Sequence, residues 1–335
     1  MISSAQCILI STLLLLAPAP AVGSAARPKL PTRPRIGGTF IQYQDWMMSL
    51  DSAAWLCELD AMRDAGINLV IIQWLEHENK RFIPADPAAC DPARIILEYA
   101  DEHGMRVYLG LSTIDRWHER ITHPRYLDRA ATQSLRLADQ AWARYGRHPS
   151  FAGWYIPQEL RYYEFKPEFV SLLRGFLRRQ SDHCRAISGG KPVAIAPSLA
   201  QCPSPEAFRK LFADLLAGSG VEILILQDGV GANRREKLMD SNVVPYFRAM
   251  QDVCGEAEIE IWSDIEIFRY CPSGRGREPA SVERILEQID AEAPFVSSFV
   301  MFDFFHYMSP CRGEEQKRLF EDYLRATADS SGASH

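Results

Sequence analysis

Short apolar runs alternate with longer amphipathic stretches along most of this chain, regularly enough to be read as strand, loop and helix. The runs that read as strands are Ile36–Tyr43, Ile67–Trp74, Arg106–Ser112, Phe151–Pro157, Pro192–Pro197, Val221–Gln227, Glu258–Ile265 and Ser297–Phe304. Predicted helices cover Ser52–Ala65, Ala93–His103, Tyr126–Tyr145, Pro167–Ala186, Pro205–Leu216, part of Asn242–Cys254, Ala280–Ala291 and Gly313–Ala326. Gly66 and Gly104 directly follow two of these helices, where glycine commonly ends the helical path. Ile67–Trp74 is apolar without alternation, as expected for a strand covered on both faces. Strands alternating with helices imply a parallel sheet, and eight strands close it into a (β/α)8 TIM barrel, here a single α/β domain over residues 36–326. The alternative is an open doubly wound sheet. That fold carries a Gly-rich loop after its first strand, whereas this strand ends in Gln42-Tyr43-Gln44-Asp45-Trp46.

The ends of the chain modify this picture. An apolar stretch at residues 8–17, followed by Ala21-Val22-Gly23-Ser24-Ala25-Ala26, reads as a signal peptide over residues 1–26. A membrane anchor is the alternative, but the run is short for a span. No later segment is apolar enough to cross a bilayer, so the expected location is periplasmic or extracellular, with no integral span after cleavage. Residues 27–35 read as a Pro-rich basic linker and residues 327–335 as a disordered tail. The net charge of −6 gives no sign of a nucleic-acid partner, and makes anionic polymers poor substrates unless a cleft is locally basic. Loss of residues 1–26 removes Cys7 and leaves seven of eight cysteines, an odd number in a compartment that permits disulfides. Cys271–Cys311 is the expected bridge, with Cys57–Cys90 and Cys184–Cys254 as weaker pairings. There is no CxxC, HxH or HExxH pattern, so neither metal nor cofactor is expected.

Barrel active sites lie at the C-terminal ends of strands. Here those ends are rich in amides, carboxylates and indoles: Gln42, Tyr43, Gln73, Trp74, Trp117, Gln158, Glu159, Asp228, Trp262, Asp264, Glu266, Asp303 and His306. Polar groups that clasp hydroxyl pairs and flat rings that cover pyranose faces suit a carbohydrate substrate. Glu159 ends Phe151-Ala-Gly-Trp-Tyr-Ile-Pro-Gln-Glu, and Glu266 ends Ile259-Glu-Ile-Trp-Ser-Asp-Ile-Glu. A carboxylate closing a buried strand is costly unless it faces a cleft. Two of them, on strands four and seven, can flank one glycosidic bond. Strand alternation places Trp262, Asp264 and Glu266 on one face. The bland readings are that Glu159 pairs with Arg161, that Glu266 pairs with Arg269, that Asp228 makes a turn, and that Asp303 and His306 fix the rim. Trp74, Trp117 and Trp262 are candidate sugar platforms, or core. Glu76-His77-Glu78 reads as a solvated loop, and Arg234-Arg235-Glu-Lys as an exposed face.

The opening Gly-Thr-Phe-Ile-Gln-Tyr, the Gly153-Trp-Tyr-Ile-Pro-Gln-Glu159 strand and the Trp262-Ser-Asp-Ile-Glu-Ile-Phe268 strand resemble DUF4434, a bacterial group of glycoside-hydrolase-like TIM barrels. The resemblance covers roughly Pro34 to Leu324. More distantly, the chain is similar to clan A retaining glycosidases, whose acid/base and nucleophile glutamates follow strands four and seven. That resemblance implies Glu159 as acid/base and Glu266 as nucleophile. Gln158 stands where clan A typically has asparagine. The expectation is an exported glycosidase acting on a poly- or oligosaccharide by a two-carboxylate, retaining mechanism. The alternatives are a glycan-binding barrel without catalysis and a metal-dependent hydrolase.

Overall fold

The computed structural model describes residues 33–329, except 79, 87–89, 200–201, 233–242, 272 and 275. The expected signal peptide and the Arg234-Arg235 run lie outside the described residues. The barrel strands are β1 (Gly38–Ile41), β2 (Leu69–Ile72), β3 (Arg106–Gly110), β4 (Phe151–Ile156), β5 (Val193–Ile195), β6 (Ile223–Gln227), β7 (Glu260–Glu266) and β8 (Ser298–Phe302). All pair in parallel, each with its neighbour in sequence, and β8 returns to β1 through Gly38–Val300 and Thr39–Met301 to close the barrel. The expected single-domain (β/α)8 TIM barrel is therefore the fold.

The major helices are α1 (Ser52–Asp64), α2 (Pro92–His103), α3 (Pro124–Tyr145), α4 (Val170–Ile187), α5 (Pro205–Leu216), α6 (Val244–Glu256), α7 (Val282–Glu292) and α8 (Glu314–Asp329). Several begin at side chains that accept from otherwise unpaired amides: Asp51 from Ala54 N, Asp91 from Arg94 N and Ser204 from Ala207 N. Gly104 ends α2 in the left-handed conformation, with φ 67°.

Strand alternation divides the apolar residues into two layers. Phe40, Leu69, Ile71, Tyr108, Tyr155, Ala194, Ile225, Trp262 and Val300 fill the barrel interior. Ile41, Val70, Ile72, Leu109, Trp154, Ile195 and Ile265 face outward and pack with the helices. The register slips between Val107 and Tyr108, where Phe151 and then Gly153 take successive places opposite β3. A Cβ on Gly153 would lie 2.3 Å from the Tyr108 ring, so glycine is what lets that ring into the interior.

The disulfide joins Cys57 of α1 to Cys311, in the loop before α8. This corrects all three expected pairings, because Cys90, Cys184, Cys254 and Cys271 are free. The reason is topological. Closing the barrel brings the first helix against the loop after the last strand, which local spacing does not reveal. Beside the disulfide, buried Glu58 pairs with Arg312 at 2.6 Å, and burial pushes the Glu58 carboxyl up. The Arg312 guanidinium lies 4.6 Å from both the Trp46 and the Phe305 ring centres.

Two boundaries also differ from expectation. Helix α8 includes Thr327, whose hydroxyl donates to Tyr323 O at 2.8 Å, so residues 327–329 are helical and the rest of the expected tail lies outside the described residues. The last linker residues are held: Arg33 Nε donates to Asp290 at 2.8 Å and Arg35 donates to the carbonyl of Thr327. The basic side chains of a Pro-rich stretch thus find acceptors that composition alone does not show. Glu76 and His77 form a short strand beside Ser112–Thr113 instead of a solvated loop, and Glu76 is buried against Ser112, Gln133 and Arg81.

The Cys57–Cys311 bond closes a loop of sequence separation 254 and should stabilise the fold by restricting the unfolded chain. Cys57→Ala is expected to lose about 2–4 kcal/mol. Equilibrium urea unfolding without reductant tests this. An unchanged midpoint would show that the bond contributes nothing.

Candidate active site

At the C-terminal mouth of the barrel the inward positions turn from apolar to polar. After Phe40 comes Gln42, after Ile71 comes Gln73, after Ile225 comes Gln227, and after Trp262 come Asp264 and Glu266. Gln42 accepts from Gln44 Nε2 at 3.0 Å. Isolated bridges carry the ladder beyond the strands, joining Arg161 to Ser198 and Ser198 to Gln227. This continuation places Arg161 beside the mouth.

Asp264 is the centre of the arrangement. Only 3% of it is exposed, and its Oδ1 has no hydrogen-bond partner among the described residues. Burial pushes its carboxyl well up, and the charges of Glu266, Asp228, Asp303 and Glu159 add to the shift. Asp264 thus lies within electrostatic reach of carboxylates from β4, β6, β7 and β8. Glu266 is also buried and accepts from Ala232 N at 2.5 Å. Burial, then the charge of Asp228, raises it to about 8, against the opposing effects of Ala232 N–H, Arg277 and Arg284.

Asp228 makes the turn that its Gln-Asp-Gly setting allows. Its Oδ1 accepts from Val230 N at 3.0 Å and from Glu266 N at 3.4 Å, and its Oδ2 accepts from Gln288. It supports Glu266 from behind, and burial raises its carboxyl to about 6. Helix α7 provides further support through residues four apart on one face. Arg284 Nη2 donates to the Glu266 and Phe268 carbonyls at 2.5 and 2.8 Å, Gln288 holds Asp228, and Glu292 accepts from Ser263 Oγ. Burial pushes the Glu292 carboxyl well up.

Glu159 is in a different environment. It is partly exposed and pairs with Arg161 at 2.5 Å, with His118 Nε2 at 3.6 Å. Arg161 also reaches Glu164 at 3.4 Å, and His118 Nδ1 lies 2.7 Å from Glu164. The expected alternative partner for Glu266 is otherwise engaged, since Arg269 pairs with Glu278 at 2.8 Å. Beside Glu159, Gln158 Nε2 donates to Ser112 O at 2.5 Å while its Oε1 is buried without a partner, as is Gln73 Oε1. Asp303 is fully buried and caps the turn Phe304–Tyr307, accepting from His306 N at 2.8 Å and contacting His306 Nδ1 at 2.8 Å. Burial pulls the His306 imidazolium down, but the Asp303 hydrogen bond and charge outweigh it and the net shift is upward.

Of the two readings for the tryptophans, sugar platform or core, their placement is that of core. Trp74, Trp117 and Trp262 are 7%, 7% and 2% exposed, so none offers an open ring. Alternation turns Trp74 outward, where its Nε1 donates to Tyr43 O and its ring stacks on His77 at 4.2 Å. Tyr43 also faces outward, between Trp55 and Phe82. Trp262 is inward but deep, edge-on to Tyr108. Trp117 braces the end of β4 by donating to Glu159 O at 2.7 Å. Two other rings are open: Tyr163 is 48% accessible and its hydroxyl accepts from Arg161 at 3.3 Å, and Trp46 is 42% accessible, backed by Arg312 and Phe305 and 6.2 Å from His306. The place of Trp46 directly after Gln42–Asp45 was the available signal. Arg161, His118 and Arg277 were also missed, since Arg161 lies outside any regular element and the helix Trp117–Arg120 and strand Arg277–Pro279 are too short to show periodicity. Among the described residues, no group of three or more His, Cys, Asp or Glu is placed to hold a metal ion, and no helix is long and apolar enough to cross a membrane.

The model of a family described as a domain of unknown function, DUF4434, matches residues 36–313. The chain belongs to the DUF4434 family. No protein of curated function matches its sequence. Among solved structures, this DUF4434 chain is similar to a provisionally assigned alpha-L-fucosidase from Bacteroides thetaiotaomicron, with TM-score 0.75 and 19% identity over 91% of this chain and 99% of that one. It is also similar to a beta-galactosidase from the haloarchaeon Halorubrum lacusprofundi, with TM-score 0.57 and 13% identity, covering 90% of this chain and 59% of the galactosidase. An intracellular xylanase from Thermoanaerobacterium saccharolyticum gives TM-score 0.50 and 13% identity over 81% of this chain and 88% of the xylanase. At these identities the likeness establishes the barrel.

The buried carboxyls of this DUF4434 protein make its stability depend on pH. Asp264, Glu266 and Glu292 keep their protons in the folded protein at pH values where the unfolded chain has released them. Their contribution is therefore complete below about pH 4 and is lost as pH rises toward the folded values. The melting temperature should fall between pH 5 and 8, and Asp264→Asn should gain stability over the parent more at pH 8 than at pH 5. Thermal unfolding at both pH values measures this. An equal difference at both would contradict the shift at Asp264.

Proposed function

We propose that this DUF4434 protein is an exported glycoside hydrolase that cleaves a poly- or oligosaccharide with Glu159 and Glu266 as its two carboxyl groups. The observation that carries this reading is the convergence of strand-end carboxylates on Asp264, with Glu159 and Glu266 both within its electrostatic reach. The glycosidases among the structural neighbours support the same class. The Cys57–Cys311 bond and the apolar N-terminal sequence support export.

In the retaining mechanism that the clan A resemblance implies, Glu159 protonates the leaving oxygen while Glu266 attacks the anomeric carbon. Water then hydrolyses the glycosyl-enzyme as Glu159 takes back a proton. In the free protein Arg161 pairs with Glu159, and burial favours the proton on Glu266. The mechanism therefore requires Glu266 to release its proton when substrate binds. Glu164 lies within reach of Arg161 and can receive its charge as Glu159 protonates. The unpartnered oxygens of Gln158 and Asp264 are suited to accept from sugar hydroxyls, and Trp46 replaces the buried tryptophans as the stacking surface.

The second reading is a non-catalytic glycan-binding barrel. It is favoured by the Arg161–Glu159 pair, which occupies the carboxyl of the acid candidate. Digestion of a glycan panel, run with the parent, Glu159→Gln and Glu266→Gln, separates the two. Each variant should lose roughly 10²–10⁴-fold or more of the parent's turnover while keeping its melting temperature. Full activity in either variant removes that residue from the mechanism. Binding without cleavage by the parent selects the second reading.

A further inference from the structure

The loops after β7 and β8 enclose a cavity of about 630 Å³ lined by Tyr270, Gly274, Gly276, Arg277, His306 and Tyr307. The Arg277 guanidinium lies 4.5 Å from the centre of the Phe268 ring and 5.7 Å from that of Tyr270. Arg277 also makes side-chain hydrogen bonds with Tyr270 and Tyr307. These contacts orient the guanidinium without neutralising it. The adjacent acid, Glu278, is taken by Arg269 at 2.8 Å, and among the described residues no carboxylate makes an ion pair with Arg277. A guanidinium has five N–H donors, so two phenols leave donors for a further acceptor. His306 adds a second basic group, because its contact with Asp303 uses only Nδ1.

The cavity lies on the Glu266 side of the proposed catalytic pair. Arg277 follows β7, whose end carries Glu266, and its charge is felt at Glu266. The acids facing this side are Glu266 itself, Asp303, which is committed to His306, and Glu278, which is committed to Arg269. The site is thus locally basic in a protein of net charge −6. A planar guanidinium held on aromatic rings suits an anionic group with two or more oxygens, which it can grip through paired hydrogen bonds.

We propose that this cavity is a subsite for a sugar unit bearing an anionic substituent, a carboxylate or a sulfate ester, gripped by Arg277 with His306 beside it. The proposal deepens the glycosidase reading and rests on it for the position of the scissile bond. It makes Arg277 a specificity residue, whose part in the choice of substrate is read from binding affinity.

Calorimetric binding and cleavage of three probes test it: oligogalacturonides for the carboxylate, sulfated galactan oligosaccharides for the sulfate ester, and xylo-oligosaccharides as the neutral reference. The parent, Arg277→Gln and Arg277→Lys are compared. The parent should bind one anionic probe more tightly than the neutral one, and added salt should weaken that binding. Arg277→Gln should lose roughly tenfold or more in affinity for that probe with no change for the neutral one, and Arg277→Lys should recover part of the loss. Which anionic probe responds identifies the substituent. Cleavage of neutral glycans alone, or an anionic affinity unaltered in Arg277→Gln, overturns the subsite and leaves the glycosidase reading standing. Arg277-dependent binding of an anionic probe without cleavage supports the subsite and removes the glycosidase reading. No binding of any probe overturns the subsite.

Discussion

Withdrawing carboxyl groups from water at the barrel mouth is the constraint on which the rest of this structure depends. Asp228, Asp264, Glu266, Glu292 and Asp303 are all buried around β6, β7 and β8. A buried carboxylate costs far more than a protonated or well-bonded one, so each must be supplied with donors, a proton or both. Helix α7 answers much of that need by presenting Arg284, Gln288 and Glu292 on successive turns toward β7. Its apolar residues Ile285 and Ile289 pack into the outer core, so one helix both covers the barrel and fixes its acidic strand. The sequence of α7 is therefore constrained by the polar network as much as by packing.

The two candidate carboxyls meet this constraint in opposite ways. Glu266 lies inside the network, where desolvation favours the proton. Glu159 lies at its edge, among Arg161, His118 and Glu164. Differing environments for two carboxyls are a common basis for dividing acid from base. Desolvation favours the proton on Glu266, the residue that the clan A resemblance implies as nucleophile. The Arg161 side chain is shared between Glu159 and Glu164, so a ligand at the mouth can change which of them it holds.

Much of the architecture was legible because parallel barrel strands are buried on both faces and so appear as compact apolar runs. All eight were located, with ends differing by a few residues where the apolar run continues past the ladder, as at Tyr43 and Trp74. Glu159 and Glu266 were legible because a charged residue abruptly ends such a run. The directions of Trp74 and Trp117 were not, since strand alternation does not determine side-chain placement once the chain leaves the strand. Trp46, Arg161 and Arg277 lie in the connections between barrel strands and helices, whose short turns and strands depend on the rest of the fold. Asp303 had two readings, a ligand for substrate or a support for the rim, and it is placed as a cap, because a strand-end acid followed three residues later by histidine satisfies the turn itself.

The Cys57–Cys311 bond lies where the two ends of the barrel meet. The pairing of β1 with β8 is the one junction not joined by adjacent sequence, and the Glu58–Arg312 pair sits next to the bond. Together they make the folded chain nearly circular in its connectivity. A single peptide-bond cleavage in any loop between α1 and that bond would leave both fragments covalently joined. A nick by a protease would then be an internal break in a ring and would not separate the molecule into pieces.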